Sequence, residues 1–271
     1  MSYKLAVIGV GNMAKAIVSG IASSSLPIDN LILFDKNKSQ YESLNGKSIV
    51  YYTAESIADA ISEANIVLLS VKPQNYPEVL DEIAQCDDAE NKLYISIGAG
   101  ITAESVSSVL GGAHVVRVLP NVPMLIGSGV SVICRNDSVP CAEFSLVCDI
   151  FRSAGSNILI DECDMNPMIG VTSSSPAYVF KFINAIYEGA IAQGLKDDGD
   201  MLSAICDVVI GSATMLKNSS DTPAELIAKV ASKGGTTEQA LNTLDASNFD
   251  AIISEAMKAC TKRADELGST K

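Results

Sequence analysis

A chain of 271 residues with 48% hydrophobic content can bury one large core or two moderate ones, and its formal net charge of −13 excludes nonspecific attraction to nucleic acid or to an anionic membrane surface. No apolar run reaches the roughly 18 residues a membrane-spanning helix needs. The seven cysteines are scattered and free of C-x-x-C spacing, and Met1-Ser2-Tyr3-Lys4 leads directly into an apolar stretch, so the expectation is a soluble, cytoplasmic protein with reduced thiols, no signal peptide and no metal site.

Residues 5–8 form an apolar strand that runs through a glycine turn into a helix burying Ala14, Ile17, Val18 and Ile21. Gly9, Gly11 and Ala14 fit G-x-G-x-x-G/A: the first permits the tight turn, the second leaves room for a pyrophosphate, and the small third residue lets helix and strand pack closely. Gly11, Asn12 and Met13 are therefore expected along the pyrophosphate. A second strand at 31–34 ends on Asp35, close to the offset at which an acidic residue meets the adenine ribose. Asp35 favours a free 2′-hydroxyl and hence NADH, whereas Lys36 and Lys38 beside it suit the 2′-phosphate of NADPH; the residues leave that choice open.

Further continuous apolar strands fall at 66–71, 93–97, 115–119, 130–133 and 158–160, with helical patterns at 54–63 and 78–85. Strands this apolar are covered on both faces, which predicts a parallel, doubly wound sheet. After about Cys163 strands vanish. Helical patterns then cover 166–193, with Pro176 expected to kink or divide the helix, followed by 198–218, 222–231, 236–245 and 249–267. The predicted architecture is an α/β dinucleotide-binding domain over residues 1–162 and an all-α domain over 163–271. These helices are more apolar than so small a domain requires, which points to a subunit interface.

Between two of the helices lies Ala231-Ser232-Lys233-Gly234-Gly235-Thr236-Thr237. The glycines free the backbone for positive φ and close approach to a ligand, and the threonines open a helix whose first N–H groups attract an anion such as a carboxylate. The competing reading is a plain helix–turn–helix corner with threonine as N-cap. Lys233 reads as a solvated cation beside the turn.

Taken in order along the whole chain, several segments resemble the pyrroline-5-carboxylate reductase family. Gly9-Val10-Gly11-Asn12-Met13-Ala14 matches its nucleotide turn, Val71-Lys72-Pro73-Gln74 the segment after a central strand, and Ser96-Ile97-Gly98-Ala99-Gly100-Ile101 its S-x-x-A-G-I. Arg117-Val118-Leu119-Pro120-Asn121-Val122-Pro123 is similar to R-V-M-P-N-T-P, Ser175-Pro176-Ala177-Tyr178 to G-P-A-Y, and residues 223–245 to the segment carrying Gly-Gly-Thr-Thr. The resemblance implies a Rossmann domain followed by a helical dimerisation domain, dimers that often assemble into decamers, and active sites completed by the partner's helices. It implies hydride transfer from NADPH or NADH to the C=N bond of 1-pyrroline-5-carboxylate, giving L-proline.

By the same resemblance the substrate carboxylate lies on Ser232, Gly234, Gly235, Thr236 and Thr237, with Thr237 the catalytic candidate. The cofactor lies on Gly9, Gly11, Asn12, Met13, Asp35, Lys36, Ser56, Val71, Lys72, Pro73, Ala99 and Asn121. Arg117 reads equally as a structural ion pair, and His114, the only histidine, lies outside the expected chemistry. The reaction needs no catalytic triad or metal: the cyclic imine, once protonated, is already electrophilic, and the protein has to orient it and anchor its carboxylate.

The chain departs from the pattern at Thr172-Ser173-Ser174-Ser175, where S-G-x-G is usual, at Val122 and Met124, and at Ser56 in place of asparagine. Alternative readings are another cyclic-imine reductase, a 3-hydroxyacid dehydrogenase-like enzyme using Lys181, or a non-catalytic nucleotide-binding regulator. Lys181 does not fit the G-x-x-x-K-x-x-x-N register of those dehydrogenases.

Overall fold

The computed structural model describes residues 2–44, 49–135, 138–197 and 199–269. The chain divides into two compact units, one taking in residues up to Ser174 together with those from Met257 onward, the other Ser175–Ala256.

The first unit is built on an eight-stranded sheet: β1 (Tyr3–Ile8), β2 (Ile28–Phe34), β3 (Tyr52–Thr53), β4 (Ile66–Leu69), β5 (Leu93–Ser96), β6 (His114–Leu119), β7 (Gly129–Arg135) and β8 (Gly155–Leu159). Its spatial order is β3-β2-β1-β4-β5-β6-β7-β8. The first six strands are parallel because a helix or longer crossover separates each from the next. Only a short turn at Val122–Ile126 joins β6 to β7, too little chain for a crossover, so β7 runs antiparallel. β8 pairs parallel to β7, so these last two strands depart from the all-parallel expectation.

Alternate residues of each central strand feed opposite cores. Leu5, Val7, Leu31, Leu33, Ile66 and Leu68 face α1 (Asn12–Ala22) and, later in the chain, Leu146–Phe151. Ala6, Ile8, Ile32, Val67 and Leu69 face α2 (Ile57–Glu63), α3 (Tyr76–Ile83) and α4 (Ala103–Val109). Burial on both faces accounts for the unbroken apolar runs. A further helix, α5 (Cys141–Arg152), carries the Leu146–Phe151 stripe.

The helix expected at 166–193 is divided. α6 (Met165–Met168) passes into a π turn at Ile169–Ser173, where the Ser174 N–H donates to the Ile169 carbonyl at 2.8 Å. α7 (Ser175–Ala192) then begins, with Pro176 in its first turn, where a missing N–H is tolerated.

The second unit contains α7, α8 (Met201–Asn218), α9 (Pro223–Val230), α10 (Thr236–Ala246) and the start of α11 (Phe249–Gly268). α9 opens with a capping box between Thr222 and Glu225. Phe180, Val208, Ile210 and Val230 are each more than 60% exposed in the single chain, and α7 to α10 bury none of their described residues, a partner-facing character. The end of α11 returns to the first unit, where the Asn166 amide donates to Asp265 at 2.7 Å. Among the described residues no helix is long and apolar enough to cross a membrane.

Candidate functional site

The strand order reverses between β1 and β4, and in open α/β sheets that switch point is where a crevice opens beyond the strands' carboxyl ends. Gly9, Gly11, Asp35, Lys36, Val71 and Lys72 meet along one cavity there. A second, sharing Gly11, Val71 and Lys72, brings in Asn12, Met13, Pro73 and Ala99.

The two glycines of the turn answer to different demands. Gly9 has φ +91°, and a Cβ there would lie 2.9 Å from the Ser70 carbonyl oxygen and from Val71 Cγ1, so only glycine fits. Gly11 has φ −74°, which any residue adopts, and no protein atom lies within 4 Å of where its Cβ would stand. Among the described residues nothing requires a glycine at this position. The open space sits over the N-terminus of α1, which has no side-chain cap and no acidic residue in its first turn. Free N–H groups facing vacant space suit a pyrophosphate.

Asp35 lies at the end of β2 with both carboxylate oxygens engaged. Oδ2 accepts from the Val10 N–H at 2.7 Å and Oδ1 from the Asn37 N–H at 2.8 Å. Lys36 and Lys38 form exposed ion pairs with Glu78 and Glu55, each at 2.7 Å, and these hydrogen-bonded carboxylates push both ammonium pKa values up. Ser56 is the N-cap of α2, its hydroxyl accepting from the Asp59 N–H at 3.1 Å; its neighbour Ile57 lines the crevice.

Tyr76 holds the loops beyond β4 and β5 together: its buried hydroxyl donates to the Leu69 carbonyl at 2.9 Å and lies 3.1 Å from Ser96 Oγ. Its ring fills the place a side chain at Gly98 would take, beside Ala99. The Asn121 amide donates to the Thr172 carbonyl at 3.1 Å and accepts from the Val130 N–H at 2.9 Å, so it braces the π turn.

Arg117 resolves the alternative left open by its sequence: it is buried, and Nη1 bonds Glu162 Oε1 at 2.8 Å. His114 pairs with Glu143 at 2.8 Å. Sequence reasoning missed Ser70 as a lining residue and noted Ser173 only as a departure from the family pattern. Both line the crevice, and both hydroxyl oxygens are sealed from solvent without a hydrogen-bond partner among the described residues.

In the second unit the Ser232–Thr237 segment forms a tight turn. The Gly235 N–H donates to the Ser232 carbonyl at 2.9 Å, and Gly234 between them has φ +74°, as the third position of a type II turn requires. A Cβ on Gly235 would lie 2.9 Å from the Ser232 carbonyl oxygen, a backbone atom that cannot swing away, so this glycine is demanded by the turn itself. Gly235 is also the N-cap of α10, with no side-chain cap.

The threonine N-cap of the competing reading is therefore absent. Thr236 and Thr237 are the first two residues inside the helix, and among the described residues their hydroxyls have no hydrogen-bond partner. Glu238 reaches back to accept from the Gly234 N–H at 2.8 Å, a contact that spacing alone does not reveal. Lys233 is exposed and makes no ion pair among the described residues.

The nucleotide crevice and the capless helix turn define a Rossmann-type, NAD(P)H-dependent oxidoreductase with a helical second domain. A family model described as pyrroline-5-carboxylate reductase dimerisation matches residues 162–267, and one described as NADP oxidoreductase coenzyme F420-dependent matches residues 4–100. The chain is 32% identical to the pyrroline-5-carboxylate reductase of Escherichia coli, covering 100% of both chains. It is also 32% identical to that of Corynebacterium melassecola, covering 97% of this chain and 98% of the relative.

Among solved structures, a pyrroline carboxylate reductase of Plasmodium falciparum with NADP bound superposes with a TM-score of 0.88 at 27% identity, covering 98% of each chain. The reductase of Streptococcus pyogenes gives 0.89 at 28% identity, covering 98% of this chain and 99% of the other. The chain belongs to the pyrroline-5-carboxylate reductase family. Its reaction is that of the family: NAD(P)H-dependent reduction of the C=N bond of pyrroline-5-carboxylate to the CH–NH of proline, within proline biosynthesis.

Proposed function

We propose that the chain carries out this reduction with the substrate carboxylate on the Ser232–Thr237 turn and with Thr237 as the catalytic residue. The carrying observation is the capless N-terminus of α10, where a glycine N-cap leaves two threonine hydroxyls without partners among the described residues. A carboxylate there accepts from Ser232, Thr236 and the first N–H groups of the helix, while Gly234 and Gly235 let it approach the backbone. Thr237 accepts from the iminium N–H and so favours the protonated, electrophilic form of the ring. When bound, NAD(P)H would supply a hydride for the C=N carbon, while Thr237 holds the proton at the ring nitrogen that becomes the amine N–H.

On this reading Gly9, Gly11, Asn12 and Met13 hold the pyrophosphate. Asp35, Lys36 and Ser56 surround the adenosine end. Val71, Lys72, Pro73, Ala99 and Asn121 flank the nicotinamide side. The functional domains are residues 1–162 for the cofactor and 163–271 for substrate binding and dimerisation, in a cytoplasmic homo-oligomer that is a dimer or a decamer built from dimers. The exposed apolar side chains of the helical unit support subunit contact.

The test is Thr237→Ala, assayed by NADPH and NADH oxidation with DL-pyrroline-5-carboxylate and by identification of proline as product. The expected result is a loss of kcat of at least about tenfold with unchanged NADPH affinity. An equal loss of cofactor affinity removes Thr237 from the chemistry.

A further inference from the structure

We infer that Glu238 is a positioning residue that sets the shape and the charge of the substrate turn, an inference that rests on the reading of Ser232–Thr237 as the carboxylate subsite. Glu238 is the third residue of α10, and its Oε2 accepts from the Gly234 N–H at 2.8 Å. In an ordinary capping box the acidic residue returns to the N-cap residue itself; here it reaches one residue further back. This matters because the N-cap, Gly235, has no side chain and its N–H is already committed to the Ser232 carbonyl.

The two bonds divide the work. One closes the turn and the other ties Gly234, at φ +74°, to the helix that follows. With both in place, the N–H groups of Thr236, Thr237 and Glu238, the first three of the helix, remain available to an incoming anion. A glycine pair without the tie would sample many backbone states, and ordering it would be charged against substrate affinity. Glu238 thus preorganises the subsite.

Its carboxylate also brings a negative charge to the helix end that must accept a second carboxylate. Geometry and charge therefore act in opposite directions on affinity, and two substitutions separate them. Glu238→Ala removes the tie and the charge; Glu238→Gln keeps an oxygen that accepts from Gly234 and removes only the charge.

Steady-state kinetics on the full-length protein with pyrroline-5-carboxylate and saturating NADPH, with NADPH affinity and the thermal midpoint measured in parallel, tests this. Glu238→Ala is expected to raise KM for the imine about five- to tenfold, with kcat and NADPH affinity within about twofold of wild type. Glu238→Gln is expected to show a KM at or below wild type. Unchanged KM in Glu238→Ala overturns the proposal, as does an equal rise in both variants. If Thr237→Ala changes neither kcat nor KM, the carboxylate subsite itself is wrong; if only Thr237→Ala has an effect, that subsite stands and the role of Glu238 falls.

Discussion

The Asp35 carboxylate accepts a hydrogen bond from the Val10 N–H at 2.7 Å, tying the end of the second strand across the middle of the glycine turn. With its other oxygen on the Asn37 N–H, Asp35 is a brace of the glycine turn, in addition to the ribose contact proposed for it. Each oxygen keeps a second lone pair, so bracing and ribose recognition coexist. Asp35→Ser removes both braces and the charge. It is expected to lower kcat/KM with NADH at least about tenfold relative to NADPH, and to destabilise the fold by about 1–3 kcal/mol through the orphaned N–H groups. Paired cofactor assays and a urea melt check the two effects together; an unchanged NADH-to-NADPH ratio would mean that Asp35 serves only the turn.

Gly9 and Gly11 separate folding from binding within three residues. Gly9→Ala puts a Cβ 2.9 Å from backbone and side chain at a φ of +91°. It is expected to cost about 1–3 kcal/mol of stability. Gly11→Ala meets no protein atom within 4 Å at an ordinary φ. It should leave the urea midpoint of the free protein unchanged or slightly raised, while weakening NADPH at least about tenfold. A Gly11→Ala protein with normal NADPH affinity would show that the vacant space does not belong to the pyrophosphate.

How far the chain could be read from its residues follows from what each feature depends on. The central strands were legible because burial on both faces forces unbroken apolar runs, and the nucleotide turn because its demands on backbone and space select residue types directly. α4 was not legible: its Ala-Glu-Ser-Val-Ser-Ser-Val presents a thin apolar stripe, and it is held by Thr102 capping Ser105. The two-residue β3 and the π turn have no periodicity to show. At the Ser232–Thr237 turn the glycines and threonines were visible, but spacing left open whether a threonine caps the helix, which Gly235 does instead, and the return bond of Glu238 depends on side-chain direction. Ser56 carries a hydroxyl that suits either an adenosine contact or a helix cap, and only the fold reveals the cap.

Alkaline pH should weaken the fold through buried acids that must stay neutral. Burial pushes the Tyr76 hydroxyl up to about 12 and the Cys134 thiol, which also feels Glu162, up to about 12. Tyr94 is raised by burial as well. A folded-state pKa above the unfolded value means that the folded protein holds its proton more tightly. The stability this confers is complete below about pH 9 and is lost as pH rises towards 12, with Tyr76 accounting for roughly 3 kcal/mol. Tyr76→Phe is expected to be less stable than wild type at pH 8, because the Leu69 carbonyl and Ser96 lose their partner, yet to lose less between pH 10 and 12. Urea melts across that range would reject the argument if the two proteins declined in parallel.

Arg117 and Glu162 anchor a line of polar contacts that crosses the first unit. The guanidinium, only 1% exposed, bonds Glu162 through Nη1 and Asn166 through Nη2, and Asn166 passes the connection to Asp265 near the end of α11. The partners are unequal: the Glu162 side chain is 37% exposed, so it can be hydrated where it stands, whereas Arg117 cannot. Removing the acid strands a buried cation; removing the base leaves a carboxylate that water can reach. Glu162→Ala should therefore cost more than Arg117→Met, by about 2–4 kcal/mol against about 1–2 kcal/mol. The double variant should fall short of the sum because the stranded charge is gone. Urea denaturation of the three variants decides this, and an Arg117→Met cost equal to or above that of Glu162→Ala would show that the pair is not governed by the burial of its cation.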